Sequence, residues 1–174
     1  EIQVNANIEF PEEVPSVKLH GGVGIGLYRT EFFYMNREDF PSEDEHYEAY
    51  RYVAEAMNPH PVIIRTLDLG GDKFLSQFRV PREIQPFLGW RAIRFCLAQP
   101  HIFKLQLRAI LRASVHGNLK LMYPMISGIE ELQQAKEILE EVKSDLRKQG
   151  IPFNDHIEVG AMIEVPSAAI TADI

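Results

Sequence analysis

The chain has 174 residues, 45% of them hydrophobic and 25% charged, the balance of an ordinary globular domain long enough to bury a sizeable core. Its formal net charge of -7 argues against broad nucleic-acid binding, which needs a basic face, yet leaves room for a small anion held by a local group of arginines. No apolar run approaches the roughly 18 residues that span a bilayer, the start Glu1-Ile2-Gln3-Val4 carries no signal-peptide pattern, and a lone Cys96 excludes an internal disulfide and fits a reducing, cytoplasmic setting.

The first predicted strand is Ile2 to Ile8, where apolar and polar residues alternate. Gly21 to Gly26 is glycine-rich, but it precedes the second strand instead of following it, so it cannot cradle a pyrophosphate at a helix start. That second strand is Ile25 to Tyr28, running into Arg29. Ser42 and Glu45 have capping-box spacing and open a helix over Asp44 to Met57. Val62 to Ile64 is the third strand and runs into Arg65. In Thr66 to Lys73, Gly70 and Gly71 let a loop approach a ligand closely and make Asp68, Asp72 and Lys73 site candidates, the lysine able to neutralise an anion, but the favoured reading is a tight turn with solvated charges. Two helices follow, Pro86 to Leu97 and His101 to His116, and then a fourth strand, Leu119 to Met122. Ser127 and Glu130 repeat the capping-box spacing and open a helix that Gly150 ends in a left-handed turn. Its apolar stripe is Ile129, Leu132, Ala135, Ile138, Leu139 and Val142. The fifth strand, Val159 to Ile163, runs into Glu164. The third and fifth strands are short apolar runs, which suit strands covered on both faces.

Strands alternating with helices imply a parallel sheet. A doubly wound sheet and a barrel both fit. In either, ligands sit at the carboxyl ends of the strands, so Arg29, Arg65 and Glu164 converge on one mouth. Guanidiniums hold phosphate through paired charge-assisted hydrogen bonds. A carboxylate beside them suits a phosphorylated ligand only if a divalent cation bridges the two, and magnesium accepts one or two carboxylates plus substrate oxygens. Against this stands the ordinary fate of a strand-end arginine, a surface salt bridge. Arg91 and Arg94, and then Arg108 and Arg112, have helical same-face spacing, and most such arginines are solvated. The six histidines show no metal spacing, and Cys96 sits in an apolar helical run as a core residue.

Six blocks carry a resemblance. They are Gly26-Leu27-Tyr28-Arg29-Thr30-Glu31-Phe32, Ile64 to Lys73, Pro86 to Arg94, Gln106 to Ser114, Tyr123 to Ile126, and Met162 to Ala169. In this order they resemble the phosphoenolpyruvate-binding barrel of the enzyme I family, the phosphoenolpyruvate-protein phosphotransferases of bacterial sugar uptake. The resemblance implies a (β/α)8 barrel of the TIM type that binds phosphoenolpyruvate and magnesium. It implies substrate contacts from Arg29, Arg65, Arg91 and Lys73 and a magnesium ligand in Glu164. It also implies a homodimeric, cytoplasmic parent whose phosphoryl group passes to a histidine on a separate N-terminal domain and on to an HPr-type carrier protein.

The family pattern continues past Ile174 with an Asn-Asp pair, another arginine and a cysteine that protonates the enolate, and no block of residues 1–174 matches that part of the pattern; Cys96 lies in the wrong block to stand in for the cysteine. A closed barrel of this kind runs to about 250 residues, so the whole chain is expected to be one incomplete barrel domain of about five strand-helix units, inactive alone. Pyruvate phosphate dikinase and phosphoenolpyruvate synthase share the barrel and the Arg-Thr-Glu block, and the Gly-Gly-Asp-Lys and Gly-Trp-Arg-Ala blocks favour enzyme I. A non-catalytic interaction module remains a reading of another class.

Overall fold

Each short apolar run of the sequence becomes a strand, and consecutive strands pair side by side. A computed structural model of the protein describes residues 2–35, 37, 39–69 and 89–173. The strands are β1 (Ala6–Ile8), β2 (Ile25–Tyr28), β3 (Val62–Arg65), β4 (Leu119–Tyr123) and β5 (Glu158–Ala161). All four pairings are parallel, and the spatial order is β1-β2-β3-β4-β5. That order decides between the two architectures left open above. A doubly wound sheet reverses direction at a switch point. An unbroken order with right-handed crossovers keeps every helix on one face, which is a segment of a barrel wall. The barrel is not closed: among the described residues no strand lies beyond β1 or β5.

The helices are α1 (Val14–Leu19), α2 (Glu43–Met57), α3 (Ala92–Ala98), α4 (Pro100–Ala113), α5 (Ile129–Lys148) and α6 (Pro166–Ile170), with 3-10 turns at Pro11–Glu13 and Glu31–Tyr34. Helices α1 and α6 and both 3-10 turns have no counterpart among the predicted elements, because segments of three to six residues are too short to display a period. Of the helix expected from Pro86, the stretch 86–88 lies outside the described residues, and the helix itself begins at Ala92.

The Ser42 capping box forms as expected: the Glu45 amide donates to Ser42 Oγ at 3.2 Å, and the Ser42 amide donates to Glu45 Oε2 at 2.7 Å. At α5 the expected partner is wrong by one residue. Gly128 is the N-cap, and Glu131, not Glu130, takes the Ser127 amide at 2.7 Å and its hydroxyl at 2.9 Å. The far end closes as a Schellman turn, with Gly150 at φ +68°, its amide bonded to Arg147 O and the Ile151 amide to Leu146 O. Ile129 is 39% exposed and drops out of the expected stripe, whereas Ala135, Leu139, Val142 and Leu146 are buried.

Two strands depart from their predicted form. β1 is only three residues long, and Ile2 and Val4 are exposed because none of the described residues covers them. β5 stops at Ala161 and is not covered on both faces; its residues alternate between exposed and half-buried, as an edge strand's do. β3, flanked by β2 and β4, is buried as expected.

The core lies between the sheet and the helical layer. Ile8, Ile25, Tyr28, Ile64, Leu121 and Tyr123 meet Tyr50, Met57, Phe95, Phe103 and Leu107. Tyr28 packs edge-on against Tyr50 and Phe103 against Tyr123, with centroids 5.8 and 6.0 Å apart. Cys96 is fully buried here, and burial pushes its thiol well above its ordinary range. Glu43 of α2 binds both Arg108 and Arg112 of α4, at 2.7 and 2.6 Å, so these two arginines hold helices together. Gly24 explains part of the glycine run: a side chain there would lie 2.6 Å from Asn5 Oδ1 and 3.0 Å from Pro61 O. The glycine serves strand packing.

Candidate phosphate-binding mouth

Parallel register lines up the strand ends. Tyr28 pairs with both Ile8 and Ile64, so Glu9, Arg29 and Arg65 follow in the next row; Arg65 pairs with Met122, and Met122 with Gly160. Tyr28 and Ile64 point into the helical layer. Side chains alternate along a strand, so Arg29 and Arg65 share the opposite face, the one that lines a barrel.

Arg65 is the centre of the mouth. Its side chain is 10% exposed. Nη2 binds the Glu31 carboxylate in a short contact, and Nη1 lies 3.1 Å from Asp68 Oδ2. Asp68 in turn takes Arg91 Nη2 at 2.7 Å and Nε at 3.2 Å on Oδ1. Asp68 is 8% exposed, so the expectation that it is a solvated turn residue is overturned. Arg91 sits at the N-cap of α3 in extended conformation, brought back to Asp68 across 23 residues of chain. Arg94 points elsewhere, to Gly89 O and Glu131. The same-face expectation for Arg91 and Arg94 thus fails, because α3 begins only after Arg91.

Arg29 stands apart from this cluster. It pairs with Glu9 at 2.8 Å and is 41% exposed. Glu164 follows β5, is exposed, and accepts the Met125 amide at 2.8 Å on Oε1. Met125 holds φ +55°, and Ala92, just after Arg91, holds φ +50°. Left-handed backbone at non-glycine residues is uncommon and collects at functional loops. Lys73, with Gly70, Gly71 and Asp72, lies outside the described residues.

The electrostatics leave specific needs unmet. Glu31 has its carboxyl pushed above the ordinary range by burial, an effect that Arg65 opposes only in part. Arg65 Nε, Glu31 Oε2 and Thr66 Oγ1 are buried and have no hydrogen-bond partner among the described residues. Buried polar atoms without partners are costly, and a polar guest or water would satisfy them. The donors for magnesium are few. Glu164 offers one exposed carboxylate, which fits an ion that takes the rest of its shell from substrate oxygens. Among the described residues no group of three His, Cys, Asp or Glu side chains could hold a metal by themselves.

Gln106 is not among the expected site residues. It is 1% exposed on the core face of α4, and its amide ties the β2 and β3 loops together. A polar residue within the apolar run Ile102, Phe103, Leu107 and Ile110 was the available signal.

Comparison with known proteins agrees along the whole chain. Residues 1–174 match the family described as PEP-utilising enzyme, PEP-binding domain. The chain is 53% identical over 173 residues to a phosphoenolpyruvate-protein phosphotransferase of Priestia megaterium, covering 99% of this chain. It is 54% identical over 172 residues to one of Geobacillus stearothermophilus, also across 99% of this chain. A Lactococcus lactis relative of the same name is 53% identical over 173 residues and 98% of this chain. The chain spans 30% of the length of each of these relatives.

Proposed function

Because the chain belongs to the PEP-utilising enzymes, as part of their PEP-binding domain, we propose that it forms the phosphoenolpyruvate-binding mouth of a phosphoenolpyruvate-protein phosphotransferase. Arg65 and Arg91 hold the phosphoryl oxygens, Arg29 closes on the ligand from the neighbouring strand end, and Lys73 adds a further cation. Glu164 holds magnesium together with substrate oxygens, and the ion neutralises phosphate charge when bound. The parent enzyme passes the phosphoryl group to a histidine of an N-terminal domain and on to an HPr-type carrier protein, acts in the cytoplasm, and is a homodimer. Residues 1–174 alone are inactive.

The chemistry suits these residues. Phosphoryl transfer asks for charge placed around the moving group and little covalent help. As the phosphorus–oxygen bond to the enol breaks, fixed guanidiniums stabilise the charge spread over the phosphoryl oxygens. Glu31 and Asp68 orient Arg65 and Arg91 and leave this ion-pair group electrically balanced before ligand arrives. The observation that carries the reading is the buried Arg65 joined through Asp68 to Arg91 at a strand's carboxyl end. The compartment is consistent with a single, buried, unpaired cysteine, and no helix among the described residues is long and apolar enough to cross a membrane.

Calorimetric titration of phosphoenolpyruvate with magnesium tests the reading. Arg65→Ala should weaken binding on the order of a hundredfold, the usual scale for truncating a buried charged contact. Equal affinity in both proteins removes Arg65 from the site.

A further inference from the structure

Gln106 lies behind the mouth, out of reach of any ligand there, yet its side chain makes three hydrogen bonds to three different segments. Oε1 accepts the Leu67 amide at 2.9 Å, in the loop after β3. Nε2 donates to Thr30 Oγ1 at 3.0 Å, in the loop after β2, and to Tyr50 OH at 3.1 Å, in α2. Because the Leu67 amide can only donate, the orientation of the Gln106 amide is fixed. Thr30 then donates its proton to Arg65 O at 2.9 Å, so the two loops are also bonded to each other. Two of the three partners adjoin a residue of the ion-pair group: Thr30 precedes Glu31, and Leu67 precedes Asp68.

The network continues inward. Tyr50 OH, which accepts from Gln106, has its own proton left for His46 Nδ1 at 2.9 Å. His46 Nε2 meets Tyr34 OH at 3.1 Å, at the far end of the 3-10 turn that starts with Glu31. The loop after β2 is therefore anchored at both ends, by Thr30 and by Tyr34, to one buried hydrogen-bonded chain.

We infer that Gln106 is a positioning residue for the ion-pair group: by bonding Thr30 and Leu67 at once, it sets the distance between the β2 and β3 loops and so the geometry of Glu31, Arg65 and Asp68. The ligand part of this inference rests on the phosphoenolpyruvate reading above; the loop part does not. Low burial cost is not the reason for a glutamine here, since its amide is desolvated and two of its three bonds go to the loops that border the mouth.

The test uses the full-length protein with Gln106→Met and Gln106→Glu. The methionine keeps the shape and removes all three bonds. The glutamate keeps the acceptor for Leu67 and loses the donor to Thr30 and Tyr50. Hydrogen–deuterium exchange should speed up at 30–33 and 67–69 in Gln106→Met, with β4 unchanged, and only at 30–33 in Gln106→Glu. Affinity for phosphoenolpyruvate with magnesium should fall about tenfold in Gln106→Met, the scale of a buried hydrogen bond lost. A purely structural role would lower the melting temperature and leave affinity intact. Loops that exchange at the wild-type rate in a folded variant overturn the inference, and so does unchanged affinity with loosened loops. Should Gln106→Met fail to fold, Gln106→Glu decides by the same two readings. A wild-type protein that binds no phosphoenolpyruvate refutes the site reading instead, and exchange alone then judges Gln106.

Discussion

The β2–β3 end of the sheet and the β5 end carry charged residues at matching heights, but they are built differently. At β2–β3 the charges are buried and locked: Arg65, Glu31, Asp68 and Arg91 pair in sequence, and Gln106 braces the loops from behind. At β5 the strand is an exposed edge, and among the described residues Glu164 keeps a single hydrogen bond, to the Met125 amide. The β2–β3 half has its geometry before any ligand comes. The β5 half has one carboxylate on an edge that a further strand would cover.

The comparison breaks most visibly under charge removal. Asp68→Asn should cost about 3 kcal/mol of stability, because it leaves Arg65 and Arg91 short of a buried partner. Glu164→Gln should cost well under about 1 kcal/mol, since its carboxylate is exposed. Denaturant unfolding of both variants checks this, and equal losses would show that the two ends are not differently built.

Acid sharpens the same contrast, through His46 behind the mouth. Burial lowers its pKa to about 3 from 6.5. The unfolded chain therefore binds more protons between those values, and stability is fully present above pH 6.5 and lost as pH falls toward 3. At pH 5 that loss is about 2 kcal/mol. Glu45, held down to about 2 by its capping bonds, adds an acid loss only below its ordinary value of 4.5 and is largely exposed. His46→Gln should flatten unfolding free energy between pH 5 and 6.5, while a slope like the wild type's would remove His46 as its source.

The smallest effect belongs to the β5 edge. Open strand edges and the exposed Ile163 and Ile170 invite self-association of the isolated chain. Ile163→Lys should reduce association in sedimentation while changing stability by less than about 0.5 kcal/mol. A wild-type chain that sediments as a compact monomer contradicts this.

Much of the fold is legible because it is local. The capping box at Ser42, the left-handed stop at Gly150 and the runs that become β2 and β3 each follow from a few neighbouring residues. What was illegible is what distant segments decide. Asp68 looks like a solvated turn residue until Arg91 reaches it from 23 positions away. Val159 to Ile163 looks like a buried strand, yet burial depends on neighbours that a run of five residues does not encode. Gln106 interrupts an apolar face, a pattern that marks a buried polar contact without naming its partners. The choice between barrel and doubly wound sheet waited on strand order, which no single strand determines.

A crystal structure of the full-length protein soaked with phosphoenolpyruvate and magnesium tests the central claim most directly. The account predicts phosphate oxygens bonded to the Arg65 guanidinium and beside Arg91, at the carboxyl end of β3. A ligand bound away from that mouth, with Arg65 still engaged only by Glu31 and Asp68, would contradict it.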